Sequence, residues 1–268
     1  MQDAKQSFEK RGIKLAAISY DSHEILKDFA DRHKIDFPLL ADPDAEVIRS
    51  FKVLNAEAKG MNKGMAHPGF FYIDESGVIR EEFFEGSDLD RYTPNNVIGK
   101  LFPELAEGVS REVEAPHLRL SLAQSDRMAA PGNRLTLVAE VELPAGVHVY
   151  APQVQGYKPI QLAIDASPEF ALDPVVYPTP KVLYLEAIRE HVPVFEGRFR
   201  ITQDVTVTRS PDFVRSLGSG KTTTIAGELH YQACDQKVCY SPTTLPVRWQ
   251  LNVLPLDRQR SPESIQHK

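Results

Sequence analysis

Cys234 and Cys239 are the only two cysteines of the chain, and four residues separate them in His230-Tyr-Gln-Ala-Cys-Asp-Gln-Lys-Val-Cys-Tyr-Ser-Pro242. A strand pattern precedes Cys234 and another follows Tyr240, and a loop of this length is common in hairpins. Cross-strand neighbours lie ~4.5–5.5 Å apart at Cα, which suits a disulfide. Closing so short a loop adds only about 2 kcal/mol by the chain-entropy relation, before any strain is subtracted. A short bridge can also be a reversible one, since strained or exposed disulfides are the labile ones. The residues alone therefore leave a structural staple and a redox-active pair both open. Lys237 would favour a thiolate and Asp235 would oppose it. Tyr231 and Tyr240 flank the pair and read as packing residues rather than acid–base groups.

Other chemistry is poorly supported. Gly218-Ser-Gly-Lys-Thr222 suggests a phosphate loop, but that motif needs a glycine where Arg215 stands and a helix where a strand pattern follows. It reads as a turn. The eight histidines show neither HExxH nor His-x-x-x-His spacing. No metal and no cofactor is expected. A net charge of −6 argues against a general nucleic-acid binder. No apolar run reaches the ~20 residues needed to span a bilayer. Met1 to Gln6 contains no apolar stretch of the kind found in signal peptides.

The elements that must position the pair fall into two groups. Residues 1–110 carry 14 Lys/Arg against 20 Asp/Glu, whereas residues 111–268 carry 17 of each. The whole charge imbalance lies in the first part, which supports two units. In the first, Lys14–Ser19 and Phe37–Leu40 read as short strands. Asp21 with Glu24 reads as a capping box before a helix carrying Ile25, Leu26, Phe29 and Ala30 on one face. Asp42-Pro43 opens a helix to about Phe51. Residues 69–84 form a hairpin, and a last helix covers about Asn95–Phe102. From residue 116 the period becomes two: Leu118, Leu120, Leu122; Leu135, Leu137, Ala139, Val141, Leu143; Ile160, Leu162, Ile164; Leu245, Val247, Trp249, Leu251, Val253. Short alternating strands separated by Gly, Pro and Asn indicate an antiparallel sandwich. The expected organisation is an α/β unit over 1–105, a linker over 106–116, an all-β sandwich over 117–255, and a mobile polar tail over 256–268.

Two family resemblances refine this. Leu15-Ala-Ala-Ile-Ser-Tyr-Asp21, Phe37-Pro-Leu-Leu-Ala-Asp42 and His67-Pro-Gly-Phe-Phe-Tyr-Ile-Asp-Glu-Ser-Gly-Val78 resemble the C-terminal two-thirds of a redoxin domain, the AhpC/TSA or peroxiredoxin-like branch of the thioredoxin fold. The resemblance implies an incomplete thioredoxin-like domain whose first strand and redox helix start are missing. It predicts a truncated chain, or a strand supplied by another chain, and no peroxidase activity. It also implies a cis bond at Pro68, against the alternative of an ordinary Pro–Gly turn.

Leu143-Pro-Ala-Gly-Val-His-Val-Tyr-Ala-Pro152, Tyr177-Pro-Thr-Pro180, Pro193-Val-Phe-Glu-Gly197 and Tyr231-Gln-Ala-Cys-Asp-Gln-Lys-Val-Cys-Tyr240 resemble the N-terminal periplasmic domain of the thiol:disulfide interchange protein DsbD. This resemblance implies an immunoglobulin-like sandwich with a redox-active pair, Cys239 attacking the substrate disulfide and Cys234 resolving it. The implied partners are periplasmic disulfide proteins and a membrane-embedded thiol reductant, in a periplasmic or exported location. It also implies a cap loop within Lys181–Glu190, with Tyr184 or Leu185 as its apolar tip; an ordinary inter-strand loop is the alternative. The rival function is a non-catalytic binding module with a structural hairpin disulfide.

Overall fold

The computed structural model describes residues 1–87, 89–103, 111–152, 154, 156–185, 189–257 and 259–266. The expected linker thus falls outside the described residues at 106–110. The chain divides into two compact units, Met1–Leu101 with Leu256–Lys268, and Phe102–Pro255.

The first unit contains α1 (Lys5–Glu9), β1 (Ala17–Ser19), α2 (His23–His33), β2 (Leu39–Ala41), α3 (Glu46–Ser50), β3 (Gly69–Ile73), β4 (Ile79–Phe84), β5 (Arg91–Tyr92) and α4 (Pro94–Leu101). Helix α2 is capped by Ser22, whose Oγ accepts from the Ile25 amide at 3.4 Å, one residue later than Asp21. Asp42 does organise α3, its carboxylate accepting from the Glu46 and Ile48 amides at 2.9 and 2.8 Å. The helix itself starts only at Glu46, because Ala45 takes a left-handed conformation (φ 52°) that interrupts it. Strands β1 and β2 pair in parallel, and β3 and β4 pair antiparallel around a turn in which Asp74 Oδ1 accepts from the Ser76 and Val78 amides. The two pairs are separate sheets. Phe8, Leu26, Phe37, Ile48, Phe83, Val97 and Ile98 are buried, while Ile18, Leu40, Ile73 and Ile79 stay exposed on these short strands.

One expectation for this unit is corrected. Among the described residues there is no cis peptide bond, so the His67–Pro68 bond is trans. Trans is the favoured isomer by about 0.5–1 kcal/mol, and the His67 amide is already engaged with the Val53 carbonyl at 2.8 Å in a chain leading straight into β3. In the polar tail, the Asp257 carboxylate lies 3.4 Å from His33 Nε2 of α2.

The second unit is strand-rich. It comprises β6 (Arg111–Val113), β7 (Arg119–Gln124), β8 (Met128–Ala129), β9 (Asn133–Glu142), β10 (His148–Tyr150), β11 (Gln161–Ile164), β12 (Phe170–Leu172), β13 (Lys181–Leu185), β14 (Glu190–Glu196), β15 (Arg198–Val207), α5 (Pro211–Ser216), β16 (Lys221–Tyr231), β17 (Ala233–Cys234) and β18 (Thr243–Val253). One sheet runs β12–β15–β9–β7–β6, a second β11–β16–β18–β8, and a third β13–β14–β10–β17. The long partners are antiparallel: β15 pairs with β9, and β16 with β18 from Lys221↔Val253 to Tyr231↔Thr243.

Period-two burial explains why these strands are long. Leu135, Leu137, Ala139 and Val141 of β9 and Leu245, Val247, Trp249, Leu251 and Val253 of β18 enter one continuous core with Ile201 and Val205 of β15 and Ile225 and Leu229 of β16. Each Leu, Ile or Val among them contributes about 1.5–3 kcal/mol of burial, and a register slip of one residue would expose the whole row. Trp249 places its indole within this core and donates from Nε1 to the Ala123 carbonyl at 2.8 Å. Gly227 lets β11 approach β16, since a Cβ there would lie 2.3 Å from the Ala163 carbonyl oxygen. The Gly218–Thr222 segment is a turn leading into β16, with no helix after it.

Candidate functional site: a disulfide at a strand crossover

The pair sits where the chain leaves one sheet for another. Strand β16 ends at Tyr231, and Ala233–Cys234 then pairs with β10 in the third sheet, with Val149 opposite Ala233 and His148 opposite Cys234. Cys234 and Cys239 face each other across a hairpin bridge and are joined by a disulfide, with Cα atoms 4.0 Å apart. The Asp235 amide donates to the Val238 carbonyl and the Tyr240 amide to the Ala233 carbonyl, both at 2.9 Å. These bonds flank the cysteines, which are thus a non-hydrogen-bonded pair, the antiparallel position with the closest side chains.

Asp235 builds the turn. Its Oδ1 accepts from the Lys237 and Val238 amides at 2.7 and 2.8 Å, and its Oδ2 accepts from the Tyr240 hydroxyl at 2.9 Å. The backbone donors of Val238 and Lys237, with Tyr240, hold its carboxyl below the usual carboxylate range. The same contact pushes the Tyr240 phenol up. Tyr240 also stacks on His117 at 3.8 Å, and its carbonyl accepts from Gln232 Nε2 at 2.8 Å. The Asp235 charge is thereby engaged by its own turn, while Lys237 extends into solvent.

The two cysteine residues differ in exposure. Cys234 is 1% exposed, whereas Cys239 is exposed. Cys234 lies in a small apolar cluster with Tyr150, Val192 and Val194, separate from the main core, with Val154, Tyr157, Leu183 and Leu185 packed against it. The Tyr150 hydroxyl lies 3.6 Å from Cys239 Sγ. Burial pushes that phenol up, so it is a neutral hydrogen-bond donor to sulfur. Tyr157 stacks on Tyr150 at 4.5 Å and donates to Glu190 at 2.7 Å, a contact that pushes its own phenol up to about 12. His148 is 2% exposed, and burial pushes its imidazole down in pKa, against the pull of Glu196 and Asp235.

The segment expected as a cap loop is a hairpin. Lys181–Leu185 is strand β13, paired with β14 from Lys181↔Val194 to Leu185↔Glu190, and residues 186–188 at its tip lie outside the described residues. Alternation along β13 separates the two proposed tip residues. Leu185, with Leu183, packs on the cluster that holds Cys234. Tyr184 points to the other face, is 48% exposed and contacts the His191 ring at 4.9 Å. Pro68, in the first unit, is not part of this arrangement. The sequence reading assigned no role to His148 or Tyr150. Both lie in Val147-His-Val-Tyr150, inside a stretch already singled out for its resemblance, and the signal available there was their shared parity.

Two family models match the two units separately. The AhpC/TSA family matches residues 1–82, and the family "Thiol:disulfide interchange protein DsbD, N-terminal" matches residues 120–249. A peroxiredoxin of Aeropyrum pernix is 33% identical over 92 residues, covering 32% of this chain and 35% of that protein. Alkyl hydroperoxide reductase C of Bacillus subtilis is 28% identical over 101 residues, covering 36% of this chain and 51% of that protein. The chain thus spans between about a third and a half of the length of these relatives. Among solved structures, the N-terminal periplasmic domain of ScsB from Proteus mirabilis aligns at 13% identity and a TM-score of 0.35, covering 56% of this chain and 53% of that one. The reduced DsbD N-terminal domain of Neisseria meningitidis aligns at 15% identity and a TM-score of 0.30, covering 45% and 82%. The chain thus matches the AhpC/TSA family over residues 1–82 and the DsbD N-terminal family over residues 120–249, and the second stretch carries the disulfide.

Proposed function

We propose that the second unit is a thiol–disulfide relay module that passes electrons through Cys234 and Cys239 to or from periplasmic disulfide proteins. The observation that carries this reading is the unequal exposure of the two cysteine residues. Exchange proceeds by in-line attack of a thiolate on one sulfur of a disulfide. A partner can reach Cys239, which is exposed, and cannot reach Cys234, which is 1% exposed. Cys239 is then the attacking thiolate in the reducing direction, and Cys234 resolves the mixed disulfide from beneath. The β13–β14 hairpin, through Leu183 and Leu185, serves as the cap over the pair.

In this reading the sandwich is immunoglobulin-like and the first unit thioredoxin-like, and the protein works in the periplasm with a membrane-embedded thiol reductant as electron source. The family matches support the relay class. The first unit contains no cysteine, so the relay proposed here runs through Cys234 and Cys239 of the second unit.

A redox titration of the pair in defined dithiothreitol or glutathione buffers, read by alkylation and mass spectrometry, tests the proposal. A relay pair titrates above about −250 mV in the folded protein. A bond that stays closed until the domain unfolds is a structural staple, and the unit is then a binding module. Cys234→Ser, which leaves Cys239 free, is expected to accumulate mixed disulfides with partner proteins; Cys239→Ser is not.

A further inference from the structure

Cys234 poses a proton problem for any exchange through this pair. Its sulfur must become a thiolate to resolve a mixed disulfide, and it must accept a proton when it is released as a leaving group. Water does not reach it: the residue is 1% exposed and lies among Tyr150, Val192 and Val194. Apolar burial raises a thiol's pKa and suppresses the thiolate.

The neighbouring strand offers one basic group. His148 of β10 is the direct cross-strand partner of Cys234 on β17, and on its other side it is the direct partner of Glu196 on β14. Direct partners in an antiparallel sheet project to the same face, with Cβ atoms ~4.5–5.5 Å apart. Glu196, His148 and Cys234 therefore form a row of carboxylate, imidazole and sulfur across three adjacent strands. The imidazole is 2% exposed, and its Nε2 is buried with no hydrogen-bond partner among the described residues. A buried unpaired ring nitrogen is costly unless it has a use.

We propose that His148 is the proton acceptor for the buried Cys234 thiol, with Glu196 and Asp235 stabilising the imidazolium that forms. This assignment rests on the relay reading of the pair. In the reducing direction, Cys239 thiolate attacks a substrate disulfide; a Cys239–substrate bond forms, and the first substrate sulfur leaves and is protonated. Cys234 then gives its proton to His148 Nε2 and attacks Cys239 Sγ. The Cys234–Cys239 bond re-forms, the second substrate sulfur leaves, and the imidazolium returns the proton to it directly or through solvent. Two electrons pass to the substrate, and the pair is oxidised. In reverse, an incoming thiolate attacks Cys239, and Cys234 leaves as a thiolate that takes its proton from the imidazolium.

The charged and titratable groups around the imidazole fit this role. Glu196 faces it from β14, its carboxylate also 3.7 Å from Lys181 Nζ of β13, Asp235 from the turn after β17, and Tyr150 from its own strand, ring to ring at 5.6 Å. The two carboxylates favour the charged ring, and burial favours the neutral one, with burial the larger influence. The ring is thus neutral and ready to accept at neutral pH, and the carboxylates limit the cost of charging it briefly.

The test isolates ring closure. Fully reduced protein is mixed with dithionitrobenzoate; attack by Cys239 releases one thionitrobenzoate, and closure by Cys234 releases the second, resolved by stopped flow from pH 5 to 9. His148→Phe and His148→Gln are compared with the native chain, the second retaining a polar group if the first disturbs the strand. Closure at pH 7 is expected to slow by about 10²-fold in both, the lower end of general-base effects, and to acquire the steep pH dependence of an unassisted thiol. The first release is expected to be unchanged. Closure at the native rate and with the native pH profile in either folded variant overturns the role of His148 and leaves the relay reading standing. A bridge that cannot be reduced in the folded native protein removes both.

Discussion

Opening the bridge is expected to leave the second unit folded, and the size of the effect follows from the loop. Cys234 and Cys239 are five positions apart. Chain entropy for so small a loop gives about 2 kcal/mol of stabilisation. That figure is a ceiling, because Asp235 favours the same turn in the open chain through its bonds to the Lys237 and Val238 amides. The flanking backbone bonds of the hairpin also persist without the sulfur link. A domain of this size has roughly 5–15 kcal/mol of stability, so most of it remains. Trp249 is the only tryptophan of the chain and is buried in the sandwich core. Its fluorescence reports the second unit alone, even if the two units melt separately. Urea melts of the oxidised protein, the reduced protein and the Cys234→Ala/Cys239→Ala variant are expected to share a slope, with the midpoint falling by about 1 M or less for a slope near 2 kcal/mol/M. A reduced protein that has lost native Trp249 fluorescence without urea would falsify the reasoning. It would mean that the bridge holds the fold, and a relay without a folded reduced state is not workable.

Three further outcomes follow from the same geometry. Leu185→Ala should expose the bridge and speed its reduction by dithiothreitol several-fold, while Tyr184→Ala, on the opposite face, should not; equal rates in the two variants would remove the capping role of β13. Gly227→Val should cost about 1–3 kcal/mol in the Trp249 melt, since the new Cβ meets the Ala163 carbonyl at 2.3 Å and overpacked strands must shift; a loss under about 0.5 kcal/mol would show that β11 yields freely. Asp235 has a depressed folded pKa, so its contribution is present above the unfolded value near ~3.9 and is lost as pH falls through the lower folded value. Hydrogen exchange at the Lys237 and Val238 amides should therefore lose protection only as pH falls through that lowered folded value, and be unprotected at all pH in Asp235→Ala; protection that persists in that variant would contradict the turn described.

Much of the second unit could be read from the chain because its strands bury one face each. Leu245 to Val253 and Leu135 to Val141 alternate without interruption, and β18 and β9 coincide with those runs. The cysteine hairpin was legible from the local spacing alone. The pairing of β17 with β10 was not, because it joins residues about 85 apart in sequence with only His148↔Cys234 and Val149↔Ala233 in register. Nor was β13, whose Val182 and Tyr184 are exposed, so that its apolar residues do not mark one buried face. In the first unit the strands came out shorter than their apolar runs. Lys14–Ser19 is apolar enough for six residues, but β1 finds a parallel partner only over Ala17–Ser19. Burial periodicity sets strand existence, and partner availability sets strand length.

The separation of the two apolar clusters bears on how a redox change could occur in so well packed a unit. Strand β10 has two faces with different fates. Val149 turns into the main core, with Ala233 and Phe195, while Tyr150 turns toward Cys234. A change at the sulfurs thus meets the small cluster first: Tyr150, Val192, Val194 and the side chains of Leu183 and Leu185 from the outer hairpin. Tight cores resist volume changes of even one methylene, and a pair embedded in the main core would couple each turnover to that resistance. Here the sulfurs can separate by moving an edge strand of two residues and its turn, both held by their own hydrogen bonds. The buried Cys234 is then shielded without being locked, which is what a resolving thiol needs and what a structural staple does not require.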